Sequence, residues 1–380
     1  MSAPPAKASG SDLAENIPAY NGSSGAVKPP PTAFDPLIPP RSGAIRAHFA
    51  MKRRPPLCRA YHALAILAVL VGSCSAQQRS NYPRSLELRA IELDSANRER
   101  ITFGELTLLS AFELRSRDRR FGGLSGLAIG SDGNLYAVSD RGYWNSARMV
   151  FDGEGRLVDL LDWQIHPLLS PDGVPLAGRL GDAEALARDR DGSFLVAFET
   201  VHRIWRYSAP PLTITARPRP VPLPTEIARA PANGALEAVT VLPDGRLLMM
   251  SEKFLQRDGT SKAWLLDKGV AAELSYVPSR GFSVTDCAAL KNGDVVVLER
   301  RYVPLGILSA RLKLVRGGSI RPGAKVSGSE LLALEYPLDV DNFEGIAVHD
   351  PPGKGTMIFV ISDDNYHPLQ RTLLLQFALN

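Results

Sequence analysis

Cysteine is almost missing from this chain. Of the three present, Cys58, Cys74 and Cys287, only Cys287 lies beyond residue 76. A body with one cysteine has no internal disulfide, so its fold must stand on an apolar core and not on covalent staples. Cys287 sits in a strand-like run and reads as a small buried apolar residue, not a nucleophile. Histidine is nearly as scarce. The four beyond residue 76, His166, His202, His349 and His367, form no H-x-x-x-H pair, which argues against zinc. The formal charge of +4 is small for 380 residues, and no basic stripe is interleaved with aromatics, so nucleic acid is not an expected partner. Long helical periodicity, a P-loop and a dinucleotide fingerprint are also absent. The stretch Gly123-Leu124-Ser125-Gly126-Leu127 lacks the final glycine of a nucleophile elbow, so Ser125 reads as a ligand or spacer.

The first 50 residues are rich in Pro, Ala, Ser and Gly without periodicity, and are expected to be disordered. Residues 51–76 then follow the plan of a secretory signal: Met51-Lys52-Arg53-Arg54, the apolar run Ala63–Gly72, and the small residues Ser73-Cys74-Ser75-Ala76. The apolar run is too short to span a bilayer comfortably. A signal normally starts a chain, so Met51 is expected to be the initiator and residues 1–50 an upstream mis-start. Two cleavages compete. Val71-Gly72-Ser73-Cys74 fits a lipoprotein signal that leaves Cys74 lipidated, whereas Cys74-Ser75-Ala76 fits release of a soluble protein. The expected location is the periplasm or a lipid-anchored place on the membrane. Residues 77–100 read as a linker and residues 101–380 as one domain.

That domain repeats itself. Leu124–Ala128 precedes Asp132-Gly133 and then Leu135–Asp140. The pattern returns as Ala183–Ala187, Asp191-Gly192, Phe194–Glu199; as Leu236–Val239, Asp244-Gly245, Leu247–Glu252; and as Thr285–Ala288, Asn292-Gly293, Val295–Glu299. A looser fifth copy runs from Phe343–Ala347 through Pro351–Gly355 to Ser362-Asp363. Asp-Gly and Asn-Gly between short apolar runs predict hairpins with two-residue type I′ turns. The spacing varies from 49 residues (237 to 286) to 59 (125 to 184), enough for a four-stranded propeller blade. The fold class is therefore all-β, a β-propeller of five blades, or six if one repeat has decayed. The run Leu106–Leu114 has no leading hairpin and Thr372–Leu379 has no successor, so these two are expected to pair and close the ring.

With two-residue turns, the ladder places Ser125 opposite Asp140, Glu184 opposite Glu199, Glu237 opposite Glu252, Asp286 opposite Glu299 and Glu344 opposite Asp363. Like charges across a ladder repel, so four such pairs call for compensation by cations, shared protons or neighbouring bases. Arg141, Lys253, Arg300 and Arg301 each follow one of these acids closely, although alternation along a strand turns an immediate neighbour toward the next blade. Oxygen-only ligands suit a hard cation, Ca²⁺ above all, with Glu184, Glu237, Asp286 and Glu344 as the metal set.

Gly122–Leu127, Ser139-Asp140-Arg141-Gly142 and Ser362-Asp363-Asp364-Asn365-Tyr366 with Gln370-Arg371-Thr372-Leu373-Leu374 together resemble the "esterase-like activity of phytase" family, exported bacterial proteins also called phytase-like. The resemblance covers about residues 100–380. It implies hydrolysis of phosphate or carboxylate esters. The residues at matching positions are Asp140, Arg141, Glu344, Asp363, Asp364, Asn365, Gln370 and Arg371.

Two functional readings follow. In the first, Ca²⁺ binds the oxygens of a small anionic or ester substrate and positions a water. Arg141, Arg301 or Arg371 clamps the anion, Asp140 and Asn365 contact the substrate, and Asp363 or Asp364 acts as base with a pKa raised by like charge. In the second, the mouth of a non-catalytic envelope propeller holds a cation or ligand. A membrane is a partner only through a lipid at Cys74.

Overall fold

Each apolar run of the repeat becomes a strand buried on both faces. The computed structural model describes residues 86–210, 213–303 and 307–380. Residues 1–50, expected to be disordered, residues 51–76, expected to be a signal, and Cys74 lie outside the described residues. The strands form five sheets. Blade 1 is Leu124–Ile129, Asn134–Ser139, Tyr143–Phe151 and Leu157–Pro167; blade 2 is Ala183–Arg188, Phe194–Phe198, Arg203–Tyr207 and Arg219–Val221. Blade 3 runs Ala238–Val241, Leu247–Leu255, Ser261–Asp267 and Val270–Tyr276, with Lys325–Val326 added in parallel. Blade 4 is Ser283–Ala289, Val295–Val303, Ile307–Val315 and Ser329–Leu334.

Blade 5 closes the ring as the repeat predicted. Phe343–His349, Met357–Ser362 and Thr372–Leu379 are completed by Leu106–Arg115, which pairs antiparallel with Thr372–Leu379. Within the stretch read as a linker, Glu87–Ala90 adds an outer strand to Leu106–Arg115. The buried Gln376 ties the joint to blade 1. Its Oε1 accepts Leu157 N–H at 2.7 Å and its Nε2 donates to Gly155 O at 2.9 Å. The five inner strands neighbour one another in a closed cycle. Five apolar clusters fill the gaps between successive blades. Between blades 1 and 2, for example, Trp144 meets Tyr207 edge-on at 5.3 Å and Phe194 at 5.8 Å. The architecture is a five-bladed β-propeller, in which closure removes the exposed edges of the ring.

The hairpins differ from expectation in two ways. They turn through three residues, not two. Gly130 N–H bonds Asn134 O at 2.8 Å and Gly133 N–H bonds Gly130 O at 3.1 Å, and the same two bonds close Asp189–Ser193, Leu242–Arg246 and Leu290–Asp294. Only the glycine takes positive φ, +77° at Gly133 and +83° at Gly192, as in a type I turn followed by a left-handed glycine. The Asp before it instead caps the loop, Asp132 Oδ1 accepting Asn134 N–H at 3.1 Å.

Further along, the register slips by one residue at Ser125, Glu184, Thr285 and Glu344, each a bulge without a partner across the ladder. In blade 3 regular pairing ends at Ala238–Met250 and Lys253 N–H then meets Gly234 O, one residue out of step, so Glu237 holds the same place. The two shifts add. Asp140 faces Gly123, Glu199 faces Asp182, Glu299 faces Val284 and Asp363 faces Asn342. The cross-ladder carboxylate pairs expected from two-residue turns therefore do not form.

Candidate functional site

The bulges build the site. A bulged residue leaves the alternation of its strand, and its side chain is re-aimed. At the end of the ring away from the turns, Glu184, Glu237 and Glu344 occupy this place in blades 2, 3 and 5, with Ser125 and Thr285 in blades 1 and 4. Burial pushes the Glu184 carboxyl well above its ordinary range, and the charges of Glu344, Glu199, Asp182 and Asp140 push it further. Glu237 is raised by burial, then by Glu184, Glu199 and Glu252, and it shares a hydrogen bond with Glu199. Acids from four blades thus share one mouth, but they arrive there as bulge residues and strand ends, not as opposed columns.

The acids that end the second strands have separate duties. Glu199 Oε1 accepts the N–H of Gly234 and, at 2.7 Å, that of Ala235, where blade 3 begins. Glu299 accepts the Tyr276 hydroxyl at 2.6 Å and Ser279 N–H at 3.1 Å. Glu252 pairs with Lys253 at 2.8 Å. Asp140 and Asp363 remain at the mouth. Burial first, then Asp182, Glu344 and Asp364 against the opposing Arg141, lift Asp140 to about 6. Burial and Glu344, then Asp140 and Asp364, lift Asp363 to about 8, against one backbone bond from Asn365.

Arg300 is the counter-charge inside this cluster. It extends from blade 4 to Glu344 of blade 5, also bonding Asn342 Oδ1 at 2.6 Å, and lies 3.5 Å from Glu252 of blade 3. Burial weakens its hold on the proton, but Glu344, Glu252, Glu237 and Asp363 more than offset that. The neighbour of Glu299 does face other blades, as alternation predicts.

The remaining sequence candidates are dispersed. Asp286 is fully buried one residue past the bulge, with its oxygens on Cys287 N–H (2.8 Å) and Ile346 N–H (2.9 Å). Asp364 Oδ1 accepts Gly123 N–H and Tyr366 N–H, both at 3.0 Å, and so pins blade 5 to blade 1. Arg371 bonds Asp339 through both terminal nitrogens (2.6 and 3.1 Å) and Asp341 through Nε, which commits it to the loop before Phe343. Arg301 stacks on Phe282, 4.8 Å from its centroid, beside Arg311. Asn365 is exposed with φ of +47°. Arg141 lies over the Tyr366 ring at 3.2 Å.

The four-carboxylate metal set does not close around one ion. Asp286 is held by backbone amides and Glu344 by Arg300 and Asn342. Among the described residues no group of three or more Asp, Glu, His or Cys stands in a metal-holding arrangement.

A cavity of 510 Å³ opens beside Asp140, between blades 1 and 2. Arg141, Tyr143, Arg179, Asp182 and Thr200 line it with Asp140. Asp140 Oδ1 is buried without a hydrogen-bond partner. Arg179, in the 3₁₀ turn Gly178–Leu180, and Asp182 carry no repeat signature, so no sequence signal pointed to them. Arg300 was visible only as a neighbour of Glu299.

The family profile "Phytase-like: Esterase-like activity of phytase" matches residues 119–366. No curated protein matches the chain. Similar solved structures include a putative gluconolactonase (14% identity, TM-score 0.38, covering 78% of this chain and 93% of that one). Virginiamycin B lyase from Staphylococcus aureus has 9% identity and a TM-score of 0.34, over 78% and 100% of the two chains. The PQQ domain of pyranose dehydrogenase from Coprinopsis cinerea has 11% identity and a TM-score of 0.38, over 67% and 94%.

Proposed function

This chain belongs to the phytase-like family, esterase-like activity of phytase, and from that premise we propose that its acidic mouth hydrolyses small anionic esters by general acid–base catalysis. One observation carries the reading: Asp140 and Asp363 share a buried mouth with unequal proton affinities, about 6 and about 8, beside a cavity flanked by Arg141 and Arg179. Carboxyls whose environments push their pKa values apart divide the acid and base roles between them. Near pH 7 Asp140 is mostly ionised and Asp363 mostly protonated. This reverses the base role first expected of Asp363.

Asp140 takes a proton from a water whose oxygen attacks the ester carbon or phosphorus. The bond to the leaving oxygen breaks, and Asp363 gives that oxygen its proton. Both carboxyls then re-equilibrate with solvent. Arg141 and Arg179 hold the phosphate or carboxylate of the substrate, and a charge-assisted bond of this kind is about twice as strong as a neutral one. The test is turnover of p-nitrophenyl phosphate and p-nitrophenyl acetate by the parent and by Asp140→Asn and Asp363→Asn. A bell-shaped rate profile with limbs near the two values is expected. Asp140→Asn should lose its limb and about 10²–10⁴ in rate, and Asp363→Asn its limb with a smaller loss, because p-nitrophenolate leaves with little help from an acid. A folded parent that turns over neither ester at any pH would overturn the reading.

A hard cation is a narrower part of the proposal. Of the four carboxylates expected to hold Ca²⁺, Glu184 and Glu237 are the two that neither an arginine nor a backbone amide binds, and an ion with water filling most of its shell would relieve their repulsion. A higher melting temperature in Ca²⁺ than in EDTA supports it, and equal values remove it. Export is proposed likewise. The mature N-terminus, read by mass spectrometry, should be Gln77 after plain cleavage or a lipid-bearing Cys74.

A further inference from the structure

The central channel has a second mouth, at the end where the hairpins turn. A cavity of 310 Å³ opens there, lined by all five inner strands. Its wall is set by one register of the repeat. Three residues past each bulge stand Ala128, Ala187, Thr240, Ala288 and Ala347, small in every blade, and their small side chains leave the channel open. The volume equals roughly ten waters at their liquid share of about 30 Å³ each.

The rim beyond this apolar collar is basic. Arg188 and Arg190 of blade 2 and Lys291 of blade 4 line it, and the charges of Arg188 and Lys291 both act on His349 of blade 5, so three blades converge. Its acids are already committed. Asp189 is ion-paired with Arg206 and accepts Arg190 N–H. Asp350 accepts the Thr356 hydroxyl at 2.5 Å and stands 3.7 Å from Lys291. Among the described residues Arg188 and Arg190 have no ion-pair partner. Arg190 lies against Gly245 of blade 3, where its charge acts on Asp244, and Arg188 stays open. Positive side chains thus stand at the rim of a pocket of mixed polar and apolar lining, at the opposite end of the channel from the carboxylates.

We propose that this turn-side mouth binds a small amphipathic carboxylate, its short aliphatic stem against the alanine collar and its head on Arg188 and Arg190. Concave, mostly apolar pockets with a few convergent polar groups are the usual form of small-molecule sites. The site is separate from the acidic mouth and does not depend on its being catalytic.

Titration calorimetry of the full chain with hexanoate, hexanamide and inorganic phosphate tests it. Hexanoate should bind with one-to-one stoichiometry, and hexanamide and phosphate at least about tenfold more weakly, because each forfeits either the charge or the stem. Arg188→Gln with Arg190→Gln should weaken hexanoate by at least about tenfold, with an unchanged melting temperature showing that the variant folds. Thr240→Leu, which fills the collar, should weaken hexanoate but not phosphate. No heat with hexanoate, or undiminished binding in the double variant, overturns the proposal. Equal affinity for phosphate would show a bare basic rim and overturn it as well.

Discussion

The carboxylate of Asp286 in blade 4 accepts the backbone N–H of Ile346 in blade 5 at 2.9 Å. The same place in blade 1 is Gly126, where a Cβ would lie 2.6 Å from Leu186 N of blade 2. Inner strands approach closely at this register, so four blades carry Gly or Ala there, and blade 4 bridges the junction with a side chain. Replacing Asp286 by Ala leaves the N–H groups of Ile346 and Cys287 without acceptors. Each buried orphan costs about 1–3 kcal/mol, so urea unfolding should show a loss of that order or more. Asp286→Asn, which keeps a carbonyl oxygen, should lose less, and ester turnover should persist in both. Full stability in the Ala variant would remove the bridging role.

Arg300 joins blades 3, 4 and 5 at the acidic mouth through Glu252 and Glu344. Removing one partner of a fully buried ion pair costs about 3–5 kcal/mol, because the other charge is left uncompensated; Arg300 is 21% exposed, which makes that range an upper bound here. Arg300→Met should therefore destabilise by up to that order at pH 8, with a smaller penalty at pH 5, where Glu237 and Asp363, whose charges also act on Arg300, hold more protons. Arg300→Lys should recover part of the loss. A penalty independent of pH would show that packing, not charge, is what Arg300 supplies.

Stability should fall as pH rises through the neutral range. Asp140 and Asp363 have folded pKa values of about 6 and about 8, above the ordinary 3.8 of an unfolded Asp, and Glu184 and Glu237 are raised as well. Between the unfolded and folded values the native state binds more protons than the unfolded one, so protonation stabilises it. That contribution is complete below about pH 4 and is lost as pH climbs through the folded values. Each group steepens the decline by up to about 1.4 kcal/mol per pH unit. Denaturant melts from pH 5 to pH 9 measure the slope, and Asp363→Asn should flatten it from pH 5 up to about pH 8 and leave it unchanged above. A slope of opposite sign would mean that the mouth is neutralised by something other than protons.

Gly123 fixes Asp140 in place. Its φ is +60°, and a Cβ there would meet Asp140 Oδ1 at 2.3 Å and the Tyr366 ring at 2.5 Å. Gly123→Ala should cost about 1–2 kcal/mol in backbone conformation and move the Asp140 carboxylate. Ester turnover should drop at least tenfold while the chain still folds. Unchanged turnover would argue that Asp140 does not need this position.

Within the repeated hairpins the errors of sequence reading are errors of register. An Asp-Gly pair announces a hairpin, but two-residue and three-residue loops share that dipeptide, and the choice rests on the φ of the residue before the glycine. The slip at Glu184 or Glu344 leaves no local mark either, because an extra residue in a strand looks like any other. Together these shifts moved every expected pair. They also hid the difference between Thr285, at the bulge, and Asp286, one step beyond it.

The sequence by itself determined the blade: alternating apolar runs, turn glycines and a period long enough for four strands, with a terminal pair left over to seal the ring. Those are local properties, set by short-range sterics and by burial of one strand against the next. Only the tertiary structure decided which carboxylates meet, which are taken up by backbone amides, and that Arg300 reaches across two neighbouring blades. Such contacts join residues from different repeats, and the distance between them depends on how closed sheets pack around a common axis.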